Sequence, residues 1–200
     1  MIPPGFVRAL DGFEAVLAAV LPGEWESPSP CEGWAAVDVA GHVTAGLLVV
    51  EARAAGLPLP SQDPDWRTVA GPDPQASWRA VRAAMTAVLT PEALERRIRL
   101  AFGPEVTMRW WLERQPLELL VHTWDLARAT GQRVAFDDDL VRQAQETGRQ
   151  FAAKGREAGL LGPELAAAED CDDWTRLLLL YGRDPDWGAS GWRRRAGRAG

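Results

Sequence analysis

The sequence predicts an all-α protein, an antiparallel helical bundle with additional short C-terminal helices. Three observations carry that expectation. Alanine and leucine abound while β-branched residues other than valine are few, which favours helix over sheet. Apolar residues recur at spacings of three and four along several long segments, the mark of helices with one buried face. No strand pattern recurs between those segments, so a parallel α/β sheet is not expected.

A first helix is expected over residues 5–21, where Phe6, Leu10, Phe13 and Leu17 share a face and Pro22-Gly23 stop it. WESPSPCEGW reads as a loop from its prolines and turn-formers. A second helix runs from about Ala36 to Ala55, with a stripe of Val39, His42, Val43, Gly46, Leu47 and Val50, and Gly56 closes it. GLPLPSQDPDWRTVAGPDP, with its five prolines, reads as a surface connection across the end of a bundle. A third helix opens at Pro74 and carries Trp78, Val81, Met85, Val88 and Leu89. RIRLAF alternates charged and apolar residues and is expected to be extended before Gly103-Pro104. A fourth helix covers roughly Val106 to Thr130, with Gly131 as its cap; Pro116 either kinks it or marks a fresh first turn. DDDLVRQAQETGRQFAAKG reads as a fifth helix with Asp137 or Asp138 as N-cap. CDDWTRLLLLYG reads as a sixth, capped by Asp172 and ended by Gly182. Residues 1–187 are therefore expected to form the bundle, and 188–200 an Arg-rich, disordered tail.

A chain of 200 residues suits one domain. Its net charge is −6, and the tail holds Arg193, Arg194, Arg195 and Arg198 without an acid, so the body is more acidic still. An acidic body argues against nucleic acid as a partner, because binding it needs basic surface. Two cysteines, Cys31 and Cys171, are too few for a disulfide framework. MIPPGF is not the start of a secretory signal, and the longest apolar runs are far shorter than the ~20 residues that span a bilayer. A cytoplasmic protein is expected, a homodimer only on the general frequency of dimers.

The only two histidines are His42 and His122. Glu118 precedes His122 by four residues, which on a helix places them about 40° apart and ~6 Å along the axis, within reach of one ion. His42 lies in the inward stripe of the second helix. A neutral imidazole in an apolar core needs partners for its ring nitrogens, and a cation held by His42, Glu118 and His122 satisfies both rings and the carboxylate together. Two nitrogens and one oxygen form a catalytic-type set with an open position, compatible with zinc, nickel or ferrous iron. A di-iron bundle is disfavoured, since it needs a Glu-x-x-His pair on each of two helices. The bland alternative is a pair of hydrogen-bonded core histidines, with Glu118 and His122 a helix-surface pair. Asp38 and Asp125 are candidates to accept the other N–H of His42 and of His122; for Asp38, support of the helix N-terminus is an equal alternative. Cys31 lies eleven residues before His42, about 15 Å along a helix, and reads as a structural loop residue rather than a ligand; Cys171 reads the same way.

PSPCEGW, then Asp38 and His42 in VDVAGHV, then ELLVHTWDLARATGQ and RLLLLYGRDPDW resemble an actinobacterial, metal-binding branch of the DinB-like superfamily, related to the N-terminal domain of mycothiol-dependent maleylpyruvate isomerase. The resemblance runs from about Gly5 to Trp187. It implies a DinB-like up-down-down-up four-helix bundle and a divalent metal, usually zinc, held by His42, Glu118 and His122. It also implies a small-molecule substrate and a low-molecular-weight thiol, mycothiol, as cosubstrate. The expected function is thus a metal- and thiol-dependent transferase or isomerase acting on a small electrophile. The thiol would bind the metal as thiolate, and no side chain stands out as a general base or other catalytic residue. The isomerase carries a second, C-terminal domain that is not expected here, where only a short helix and an Arg-rich end follow, so maleylpyruvate is not the expected substrate. The alternatives are a non-catalytic metal or small-molecule binding module of the same fold, a metal-free bundle, and, ranked last, a ferrous oxygenase.

Overall fold

A computed structural model describes residues 1–61, 64–100, 103–159 and 161–188. The arginines expected to form a tail lie outside the described residues. The architecture is the all-α, DinB-like bundle that the sequence predicts, with one small hairpin. The four helices around its core are α1 (Pro4–Ala18), α2 (Ala36–Ala55), α4 (Pro74–Val88) and α7 (Pro116–Ala129). Helix α1 packs on α7, while α2 packs on both α4 and α7, so α1 and α2 are diagonal neighbours across a shared core. That core runs from Phe6 and Phe13 on α1 through Val39, Val43 and Leu47 on α2 and Trp78 and Met85 on α4 to Leu120 and Leu126 on α7. Helix α8 (Asp138–Glu157) covers α7, and α9 (Asp173–Leu180) covers α8.

The element ends follow local chemistry. Helix α1 begins with Pro4 in its first turn, where a missing N–H costs nothing. Helix α2 ends on Gly56, whose φ of 71° is the left-handed cap that glycine adopts without a Cβ penalty. Asp73 and Asp172 each accept a backbone N–H at the start of α4 and α9. Asp137 occupies the position before α8 but its carboxylate pairs with Arg8 instead of capping.

Three features differ from the expectation. The fourth expected helix is two: α6 (Met108–Leu112), capped by Thr107, and α7, which starts afresh at Pro116. Proline lacks the N–H that would continue the ladder from α6, so it opens a new first turn rather than a kink. The alternating RIRLAF stretch supplies β1 (Arg97–Arg99), and a partner, β2 (Glu105–Thr107), pairs with it antiparallel, burying Ile98 and Val106 opposite one another. The proline-rich connection contains a short helix, α3 (Trp66–Ala70), which lies against α2, and another short helix, α5 (Pro91–Glu95), precedes β1. No helix among the described residues is long and apolar enough to cross a membrane.

Candidate metal centre

The contact of α2 with α7 brings the histidines together. His42 projects from the second turn of α2, and Glu118 and His122 from successive turns of α7. The imidazole centroids of His42 and His122 are 4.7 Å apart in an edge-to-face arrangement. Glu118 Oε2 lies 3.6 Å from His122 Nε2. Each of the three residues offers one donor atom within 4.8 Å of the other two. They form the floor of a cavity of about 140 Å³ whose walls are Phe6, Val43, Gly46, Leu47, Val50 and Leu119, with Gln115 at the start of α7. The Glu118 side chain is 53% exposed and opens onto this pocket.

Two tryptophans that sequence spacing did not single out cover the other side of His42. Trp34, on the loop before α2, lies 5.0 Å from the His42 ring, and Trp66 of α3 meets it edge-on at 4.9 Å. The close approach of α3 depends on Gly41, because a Cβ there would meet the Trp66 carbonyl oxygen at 1.9 Å.

Behind His122 lies a second layer. Asp125, with no exposed surface, sits 3.0 Å from His122 Nδ1, one turn along the same helix. Arg183, just after α9, donates to both Asp125 oxygens at 3.0 and 3.1 Å. Cys31 Sγ donates to Asp125 Oδ2 at 3.1 Å and accepts from Arg183 at 3.1 Å. The loop reading of Cys31 needs correction here: Cys31 belongs to the loop before α2, but that loop turns back through a Pro28–Ala35 bridge and sets the thiol against α7. Its distance along the chain from His42 says nothing about its approach to His122. Arg183 also had no assigned role, and no local signal marks an arginine as the partner of a carboxylate 58 residues away.

Asp38 is placed elsewhere. It is the third residue of α2, so its carboxylate reaches back to the Ala35 N–H at 2.8 Å, and Arg67 pairs with it at 3.2 Å. It supports the helix start, the alternative weighed for it, and not the His42 ring.

The two imidazoles are prepared differently. Burial, aided by the neighbouring His122, pushes the His42 pKa down to about 4, so this ring is neutral. Its Nδ1 is buried without a hydrogen-bond partner among the described residues. For His122 burial works in the same direction, but hydrogen bonds with Asp125, Cys31 and Glu118 outweigh it and raise its pKa well above the ordinary value. Two carboxylates against one guanidinium favour positive charge at this ring.

Two donor sets contain His122: with His42 and Glu118, or with Cys31 and Asp125. The second already holds the Arg183 guanidinium within 3.1 Å of both Cys31 and Asp125, and a dication there would face that charge. In the first set no donor atom is hydrogen-bonded to a lysine or arginine among the described residues, and the set faces the pocket and contains the orphaned Nδ1. Its two nitrogens and one carboxylate fit a divalent transition metal.

Fold and site together define a helical-bundle protein with a two-histidine, one-carboxylate cluster under an apolar pocket. Residues 6–127 match the family of the mycothiol maleylpyruvate isomerase N-terminal domain, and the chain belongs to that family. An uncharacterized protein of Mycobacterium tuberculosis, from two strains, is 30% identical over 154 residues, which cover 74% of this chain and 81% of that protein. A crystal structure of a histidine-to-alanine mutant of mycothiol-dependent maleylpyruvate isomerase is similar with a TM-score of 0.54 and 18% identity, over 76% of this chain and 70% of that one. At that identity the likeness is one of fold.

Proposed function

We propose that the chain is a divalent-metal-binding protein that uses a low-molecular-weight thiol, mycothiol, in a transferase or isomerase reaction on a small electrophile. One observation carries this reading: His42, Glu118 and His122 converge at the floor of a pocket, with a buried imidazole nitrogen that no other group among the described residues satisfies. Zinc suits the donor set best, with nickel or iron as alternatives. Family membership supports a mycothiol-related reaction.

His42, Glu118 and His122 would hold a divalent cation, which would supply stabilisation of a thiol as its thiolate at neutral pH. The chain's own residues do the rest. Asp125 accepts from His122 Nδ1 and so turns Nε2 toward His42 and Glu118. Arg183 and Cys31 fix Asp125 in turn. Trp34 and Trp66 close the flank of His42 and restrict water to the pocket side.

Metal analysis after dialysis against zinc, nickel or ferrous ion tests the site; about one ion per chain is expected in wild type and well under one in His42→Ala and His122→Ala. Mycothiol-dependent consumption of an unsaturated electrophile tests the reaction, which should require the metal and vanish in His122→Ala. A wild-type chain that neither carries nor gains an ion would overturn the proposal. A non-catalytic binding module of the same fold is a second reading, favoured by one observation: both histidines and Glu118 belong to the metal set, which leaves Gln115 as the remaining polar side chain of the pocket among the described residues. Metal uptake without thiol-dependent turnover would select it.

A further inference from the structure

We propose that the pocket above the metal cluster receives a small, uncharged, apolar group of the acceptor molecule and rejects carboxylates. The inference deepens the function proposed above and rests on its reading of the pocket floor. Three observations lead to it.

The first is charge. No lysine or arginine lines the pocket among the described residues, and the positive charge favoured at His122 is already met by Asp125 at 3.0 Å and Glu118 at 3.6 Å. A carboxylate entering there would lose its water beside the Glu118 carboxylate, with no unpaired cationic side chain to receive it. Arg183 does not serve, because its guanidinium is spent behind His122 on Asp125, Cys31 and the Tyr181 carbonyl. A dication at the floor does not serve either: Glu118 and a thiolate together match its charge and leave none over for a second anion. The second is surface. Phe6, Val43, Leu47, Val50 and Leu119 present only hydrocarbon, and the Gln115 amide is hydrogen-bonded to the Trp111 carbonyl. The third is size. A volume of about 140 Å³ matches the roughly 150 Å³ apolar cavities that take up one benzene ring. Gly46 keeps that room, since a Cβ built on it meets nothing within 4 Å and longer side chains would grow into the space.

The test is fluorine NMR of fluorobenzene titrated into the full chain, alone and with one equivalent each of zinc and 2-mercaptoethanol. The expected result is saturable binding in both forms, displacement by toluene and none by a large excess of maleate. Gly46→Leu and the shorter Gly46→Val should abolish binding while helicity stays native and melting is not lowered, and Gly46→Ala should retain it. Displacement by maleate at concentrations similar to toluene would overturn the proposal, as would undiminished binding in both blocking variants. Fluorobenzene binding without any zinc uptake would sink the metal reading and leave the pocket's preference standing. Zinc uptake without fluorobenzene binding would do the reverse.

Discussion

Gly41 and Gly46 sit on the same helix, and replacing each by alanine should have opposite effects. A Cβ at position 41 lies 1.9 Å from the Trp66 carbonyl oxygen and 2.6 Å from its carbon. Both atoms are backbone, so no side chain can swing aside. To reach ordinary contact at 3.4 Å the first turn of α3 must retreat by about 1.5 Å. Overpacking of this kind costs about 1–3 kcal/mol. At position 46 the same methyl meets nothing, and alanine is favoured over glycine in a helix interior by about 1 kcal/mol. That propensity gain is common to both variants. The difference between them therefore isolates the α2–α3 contact, and Gly41→Ala should be about 1–3 kcal/mol less stable than Gly46→Ala. Urea unfolding of the two variants and wild type reads this directly, provided the denaturant slope is unchanged. A second readout ties the contact to the site. Trp66 holds the His42 ring edge-on at 4.9 Å, so a retreat of α3 should weaken zinc binding roughly tenfold, as loss of an outer support does. Equal stability of the two variants would refute the reasoning.

Asp125→Asn should weaken zinc binding by about 10–100-fold without emptying the site, because the amide holds the His122 ring less firmly than the carboxylate; competition with a chromogenic chelator measures it, and an unchanged affinity would remove Asp125 from the site. Arg183→Met leaves the fully buried Asp125 carboxylate without the guanidinium that pairs with both its oxygens and should destabilise the fold by about 3–5 kcal/mol, with less than 1 kcal/mol in urea unfolding arguing against a buried pair. Removal of the metal with a chelator should lower the melting temperature relative to protein at a hundredfold excess of zinc over its Kd. That excess contributes about 2.7 kcal/mol, or roughly 5–10 °C for a chain of this size. Identical melting curves would show that the folded chain has no preferential site.

The scaffold was legible because its helices are regular. Stripes such as Phe6, Leu10, Phe13 and Leu17 repeat with the helical period, and the buried face of α1 contains all four. The limits of α2 agree with the sequence expectation because a glycine in the left-handed region ends it. What was not legible depends on contacts between distant segments. Helix α3 has five residues in a proline-rich stretch, too short for a periodic signal, and it is held by the groove that Gly41 opens on α2. Strand β2 exists through pairing with β1 rather than by its own pattern. At the site, the spacing from Glu118 to His122 is local and could be read; Cys31 and Arg183 meet Asp125 across 94 and 58 residues, and no periodicity encodes such meetings.

The departures from regular structure lie around the pocket and its floor. Pro116 ends α6 and restarts the helix, which places Glu118 in the first turn of α7, where the partial positive charge of the helix end favours a carboxylate, and His122 one turn beyond it. Had the helix continued through 113–115, that carboxylate would lie in mid-helix without this support. Gly41 gives up a side chain in the middle of α2, which helix propensity disfavours, and in exchange α3 seats Trp66 on the very next residue, His42. The loop before α2 folds back to deliver Cys31 to Asp125 and Trp34 to the His42 ring. Each of these choices weakens a local preference for continuous helix, and each converges on the same two imidazoles. A bundle selected only for stability has no need of them, since its apolar stripes already close the core. Local preference yields where a site must be shaped, and here it yields on both helices that carry the histidines.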